Sequence, residues 1–272
     1  MKSVFRLSVK NSSILFFIFC CMSARASLQV FPVSVTLNEK VKTSQLNVSH
    51  SFTKETWVNV EPVFFKMDVN GSLNEVKKEE LAKDSEWSAL RMVRFSPKRF
   101  LLKPGESQVL RMRTFISAKS KDGMYRIHLK FIPDEPGQKV LQKSTGTGTS
   151  YQLNARIAVA VPVYVKKGNK APVAQVKGLK VLKEKNKSFF NAVLEQNSGT
   201  IRGNLIAYVK KSEKKIIVAT VNGVASYIPK RILNFELNEE FSNLGTSEGL
   251  DLVLEFQDAK TSQVLAQDSV KL

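Results

Sequence analysis

Between Tyr151 and Val165 the chain reads YQLNARIAVAVPVYV, and every second residue is apolar: Tyr151, Leu153, Ala155, Ile157, Val159, Val161, Val163 and Val165. Successive side chains on a β-strand point to opposite faces, so this spacing predicts one long strand with a continuous apolar face. A GQKVLQKSTGTGTS segment precedes it and KKGNKAP follows, so the strand closes one domain at the hinge to the next. Two readings satisfy the periodicity. The face fills the core of its own domain, or part of it is lent to another protein.

The first 26 residues read as a secretory signal. Lys2, Arg6 and Lys10 form a basic start, Ile14 to Met22 is an unbroken apolar run of nine, and Ala24-Arg25-Ala26 is a small-residue cleavage site. Nine apolar residues fall well short of the roughly 20 that span a bilayer. Export deletes Cys20 and Cys21, both of the cysteines in the chain, so the mature protein must be held by core burial rather than disulfides. The 246 residues that remain suit two domains, 27–167 and 168–272. The net charge is +18, and +14 once the four cations of the signal are removed. In a cytoplasmic protein that balance points to nucleic acid, but export and the even spread of the cations argue against it. Solubility, attraction to anionic surfaces, or a basic groove for an acidic or C-terminal-carboxylate partner remain.

The first domain reads as short alternating strands separated by turn signals, the pattern of an all-β sandwich. Leu28 to Leu37 carries Pro32, which belongs at an edge or at a switch between sheets. Ser44 to Phe52 and Thr56 to Phe65 follow, the latter with Trp57, Val60, Val63 and Phe65 as expected core residues. Lys66 to Leu90 is charged, has helical composition in NEVKKEELAKD, and reads as a surface excursion. Lys103-Pro104-Gly105-Glu106 signals a tight turn, beyond which Leu110, Met112 and Thr114 face one way and Val109, Arg111 and Arg113 the other. In YRIHLKFIP, Tyr125, Ile127, Leu129 and Phe131 alternate with Arg126, His128 and Lys130. Three basic side chains between sheets are costly, so that face is expected to be open to water or to a partner. From about Pro172 strands are expected at SFFNAVLEQ, GNLIAYVKK, KKIIVATV, VASYIP, LDLVLEF and SQVLAQDSVKL, with Asn197-Ser198-Gly199 and Val221-Asn222-Gly223 as turns between them.

Catalytic signatures are missing. His50 and His128 are the two imidazoles, neither with a cysteine, carboxylate or second histidine at metal-ligand spacing, and G-x-S-x-G, phosphate-binding glycine loops and H-E-x-x-H do not occur. No enzyme class and no cofactor is indicated. A carbohydrate-active enzyme needs an aromatic-lined cleft, and Trp57 and Trp87 fall in segments that the pattern keeps apart.

The order of signals resembles the periplasmic pilus-assembly chaperones, the PapD-like family. The resemblance is carried by FSPKRFLLKPGESQVLRMRT, similar to the family's Pro, L-x-P-G and alternating strand ending in Arg; by YRIHLKFIP; by RIAVAVPVYVKK, similar to the strand ending its first domain; and more weakly by LEQNSGTIRGNL. It spans residues 28 to 205. It implies two immunoglobulin-like β-sandwich domains set at an angle with a cleft between them, a periplasmic location, and no catalysis. The implied function is donor-strand complementation, in which a chaperone lends a strand to pilus or fimbrial subunits that lack their own last strand and then passes them to an outer-membrane usher. Tyr151, Leu153, Ala155 and Ile157 match the lending face within the donor strand 151–165, and Val159, Val161 and Val163 continue into the chaperone's own core.

The family's carboxylate grip, an Arg on the first strand and a Lys on the last strand of the first domain, falls here near Val33 or Ser34 and near Ala160. Arg94, Arg111, Arg126 and Arg156 are therefore the candidate replacements, since a guanidinium holds a carboxylate bidentately. An apolar strand left exposed also favours capping by self-association of the free protein. The competing class is a secreted structural or adhesive protein of two immunoglobulin-like domains, in which the Tyr151 strand is ordinary core. Exposure of that strand's apolar face separates the two.

Overall fold

The computed structural model describes residues 28–76, 86–134, 157–169, 173–185, 187–211, 214–244 and 249–272, together with the backbone of 137–141 and 152–155. The leader at 1–26, Tyr151 and Arg156 lie outside the described residues, as does most of the charged excursion's helical segment.

The chain is all-β and forms two sandwiches, each around its own core. In the first, β1 (Leu28–Phe31), β3 (Thr43–His50), β9 (Ser107–Thr114) and β7 (Val93–Ser96) make a four-stranded sheet in that order. The facing sheet runs β2 (Val35–Asn38), β13 (Val159–Lys167), β10 (Gly123–Pro133), β4 (Thr56–Val63) and β8 (Arg99–Leu102). Alternation decides which side chains enter. Leu46 and Val48 of β3, Leu110 and Met112 of β9, Ile127, Leu129 and Phe131 of β10, and Val161, Val163 and Val165 of β13 fill one cluster. Each such burial is worth about 1.5–3 kcal/mol. Pro32 falls where the chain switches sheets, with β1 in one layer and β2 in the other. A residue without an N–H cannot continue a ladder, so the switch sits where the ladder can be broken. The Lys103–Glu106 turn closes through Glu106 N–H to Lys103 O at 3.0 Å.

Two short ribbons stand outside these layers, β5 (Phe65–Met67) with β6 (Leu73–Glu75), and β11 (Gly137–Leu141) with β12 (Gln152–Ala155). The second ribbon corrects one expectation. Residues 151–165 do not form a single strand: β12 pairs with β11, and β13, which begins at Val159, pairs with β10 and β2. Trp57 is a second correction. It is 43% exposed, on the outer face of β4, with the Arg99 guanidinium 4.6 Å from its ring centre. Val60 and Val63 are buried as expected, and Phe65 is half-buried.

The second sandwich packs β14 (Ala174–Glu184), β15 (Lys187–Gln196) and β18 (Lys230–Glu236) against β17 (Lys214–Ser226), β16 (Ile201–Lys211), β19 (Asp251–Asp258) and β20 (Val264–Lys271), with one helical turn, α1 (Glu239–Ser242). Its core gathers Phe190, Leu194, Leu205, Val209, Val218, Leu233, Leu254 and Phe256. The Asn197–Gly199 turn forms and is held by the buried Gln196, whose Oε1 accepts from Ser198 N–H at 2.7 Å. Val221-Asn222-Gly223 is not a turn, because β17 runs through it. The pairing with β16 shifts register there and Gly223, at φ +71°, donates its N–H to Asn204 Oδ1 at 3.0 Å. An Asn-Gly pair supplies the left-handed backbone of a bulge as readily as that of a hairpin. The sequence pattern predicts neither β14 nor β18. A register shift between Lys177 and Lys180 changes the phase of β14's alternation, and β18 sends a single fully buried residue, Leu233, into the core.

Candidate functional site: the open edge of the last first-sandwich strand

β13 is paired along one side over its whole length, from Val159 opposite Phe131 to Lys167 opposite Gly123. On its other side the parallel partner β2 covers only Val163 to Lys166. Among the described residues, no strand pairs with Val159–Pro162 on that side. The chain leading into this edge is uncovered as well: Ile157 is 71% exposed, while Val161 and Val163, on the same phase of the alternation, are buried. Beside the edge, the end of β1 presents Phe31 and the crossover to β2 presents Val33, 74% and 75% exposed. An unpaired edge flanked by bare β-branched and aromatic side chains is an aggregation hazard that sheet proteins ordinarily blunt with charge or a covering loop.

The predicted lending residues fall as follows. Leu153 and Ala155 lie on β12, at positions opposite Val140 and Gly137 in the ribbon with β11, and thus belong to neither sandwich sheet. Ile157 lies between that ribbon and the core-forming half of β13.

The basic face of β10 is not open, contrary to the sequence expectation. The ribbon β5–β6 and the second sandwich cover it. Arg126 is 3% exposed: its Nη2 donates to Phe65 O at 2.6 Å, and its guanidinium lies 3.4 Å from the Tyr227 ring centre and 5.1 Å from that of Phe64. Tyr227 in turn shares a hydroxyl contact with Tyr164 at 3.1 Å, and Arg202 stacks on Tyr164 at 4.7 Å. Burial lowers the Arg126 pKa, partly opposed by Tyr227, and raises that of Tyr164. His128 packs edge-on against Phe65 at 4.8 Å, and burial, reinforced by the Arg126 charge, lowers its pKa to about 3, so the ring is neutral. Lys130 reaches Glu75 of the ribbon at 2.7 Å. The expected partner of this face is thus the protein's own second half. Met124 N–H to Ser198 O at 3.0 Å and Ile232 N–H to Val69 O at 2.7 Å extend the same contact. Trp87 lies so close to Gly199 that a Cβ there would meet its ring at 2.4 Å.

Of the four candidate arginines, Arg94 and Arg111 are brought together on the outer face of the four-stranded sheet, and Arg126 is buried as described. None of these three sits at the open edge. A cation not weighed for this role from the sequence is Lys130, the Cα partner of Ala160 in the β10–β13 ladder, one strand in from the open edge. Strand register was the signal that would have found it. His50 is structural: Nε2 lies 3.1 Å from Leu102 O and Nδ1 accepts from Phe52 N–H at 3.0 Å. Among the described residues, no group of three His, Cys, Asp or Glu is placed to hold a metal ion.

No protein-family model and no curated protein matches the sequence. Among solved structures, the chain is similar to the class 5 fimbriae chaperone CfaA, at 14% identity and a TM-score of 0.45, over 90% of this chain and 100% of that one. It is similar to the CupB2 chaperone of Pseudomonas aeruginosa at 12% identity and a TM-score of 0.43, over 90% of this chain and 100% of that one. A chain of the CsuC–CsuE chaperone–tip adhesion subunit pre-assembly complex of Acinetobacter baumannii matches at 13% identity and a TM-score of 0.43, over 90% of this chain and 98% of that one.

Proposed function

We propose that this protein is a non-enzymatic periplasmic chaperone that binds and stabilises pilus or fimbrial subunits by donor-strand complementation and delivers them to an outer-membrane usher. The observation that carries the reading is the open edge at Val159–Pro162 with Ile157 bare beside it. In this reading residues 1–26 direct export, residues 27–167 form the subunit-binding domain, and residues 168–272 brace it. An incoming subunit strand takes main-chain hydrogen bonds from the unpaired edge, while Tyr151, Leu153, Ala155 and Ile157 enter the gap in the subunit's core. A few such plugs, each worth about 1.5–3 kcal/mol, hold an unfinished subunit against aggregation. In the same reading a subunit carboxylate is taken by Lys130, level with Ala160 across the ladder, in exchange for Glu75, or by Arg156, the sequence neighbour of the edge. A secreted structural or adhesive protein would keep the apolar face of this strand covered. The exposure of Ile157 favours lending.

The test is affinity purification of the tagged protein from the periplasm of its native host, with mass spectrometry of proteins recovered in equal amount. A small β-rich secreted subunit is expected, and Leu153→Asp with Ile157→Asp is expected to leave the protein folded but abolish that recovery. Normal subunit recovery with both substitutions refutes the mechanism. Recovery of the protein alone while surface fibres are being assembled favours the structural or adhesive class.

A further inference from the structure

The outer face of the four-stranded sheet carries a second surface, independent of the subunit edge. A shallow depression of about 640 Å³ opens there between β3, β9 and β7. Strand register arranges its side chains in two rows across the sheet, Thr43–Arg113–Arg94 and Gln45–Arg111–Ser96. All six are exposed, because Leu110 and Met112 of β9 and Val93 of β7 take the inward positions. Arg94 and Arg113 are direct cross-strand partners, a placement of like charges that costs stability. No ion pair joins any of the three arginines to a carboxylate among the described residues, although lysines elsewhere on the molecule are paired. The face therefore holds a concentrated, uncompensated positive charge, ringed by the neutral hydrogen-bonding groups of Thr43, Gln45 and Ser96.

We propose that this face docks an acidic, extended segment of another polypeptide, with carboxylates at alternate residues. The argument is charge complementarity joined to spacing. Arg111 and Arg113 stand two residues apart on one strand, about 6.6 Å, and alternate side chains of an extended peptide repeat at that interval on one face. A chain lying along β9 thus meets both guanidiniums in register, each able to take a carboxylate through two parallel hydrogen bonds. Arg94 widens the cationic row, and the bound carboxylates relieve its repulsion with Arg113. The surface points away from the five-stranded sheet, which bears both the β13 edge and the contact with the second sandwich. A bound subunit and an acidic segment need not compete.

The proposal is tested with the purified protein at low salt by fluorescence anisotropy of three labelled octapeptides: alternating Glu and Ser, the same residues in two blocks, and alternating Lys and Ser. Binding is expected for the alternating acidic peptide, weaker binding for the block peptide, and none for the basic one. Arg111→Gln with Arg113→Gln is expected to weaken the alternating acidic peptide by about tenfold, and Lys180→Gln with Lys183→Gln, which removes equal charge from β14, by far less. Arg94→Gln serves as the second variant, since relief of the Arg94–Arg113 repulsion should leave its thermal midpoint at or above that of the parent. Equal losses in the two double variants overturn the site in favour of a diffuse field, and equal affinity for the block peptide overturns the register. Binding of phosphatidylglycerol vesicles that depends on Arg111 and Arg113, with no peptide binding, assigns the face to a membrane and overturns the proposal. Subunit recovery should be unchanged in the Arg111/Arg113 variant, so the two readings fail separately.

Discussion

His128 shows how far one residue's chemistry depends on what covers it. On β10 it shares a face with Arg126 and Lys130, which in isolation would be a cationic stripe; in the folded chain it is a neutral ring against Phe65, with Nδ1 buried and unpartnered. Its pKa lies at about 3 in the fold against 6.5 for a free histidine. Below pH 6.5 the unfolded chain takes up a proton that the folded chain refuses. Stability from this group is therefore complete above pH 6.5 and lost progressively as the pH falls towards 3, with a slope of at most about 1.4 kcal/mol per pH unit. Urea unfolding measured across that window should show the slope in the parent and a flatter profile in His128→Leu. Identical profiles would mean that His128 titrates normally.

At the scale of the element, the alternation from Tyr151 to Val165 is continuous in sequence and divided in structure. Val163 is fully buried between the sheets, whereas Ile157, with the same spacing and the same kind of side chain, is bare. The difference lies in the neighbours, since β2 and the opposing sheet cover the second half of the segment and end before the first. Val163→Ala should lower unfolding stability by about 2 kcal/mol, from lost burial and an unfilled core space. Ile157→Ala should stay within about 0.5 kcal/mol, as for an exposed position without partners. Comparable losses at both sites, read from urea midpoints, would show that Ile157 is core in solution and would remove the basis for strand lending.

For the molecule as a whole, the two sandwiches are joined by more than the chain that runs from β13 to β14. Arg126, held by Phe65 O and stacked on Tyr227, begins a row in which two guanidiniums flank two phenols, running through Tyr227 and Tyr164 to Arg202. A desolvated cation on an aromatic face is worth about 2 kcal/mol. A double-mutant cycle of Arg126→Met and Tyr227→Leu should give a coupling energy of about 1–2 kcal/mol by chemical denaturation. Additive effects would show that the contact across the sandwiches contributes nothing. Such a brace covers Arg126 of the β10 face and, among the described residues, adds no strand to the β13 edge at Val159–Pro162.

The sequence by itself determined the elements whose signal is local. The inward set of β9, the sheet switch at Pro32, the Lys103–Glu106 turn and the buried half of β13 each follow from alternation or from a residue that cannot make a ladder bond. Bulges hid β14 and the continuity of β17, because an extra residue resets a period of two without leaving a mark in composition. Only the tertiary structure decided which face of β10 is covered, where the apolar strand passes from buried to bare, and that Arg94, Arg111 and Arg113 meet on one surface. Those properties belong to pairs of segments far apart in sequence. Periodicity reports which side chains share a face, whereas burial and charge density depend on what the rest of the chain lays against that face.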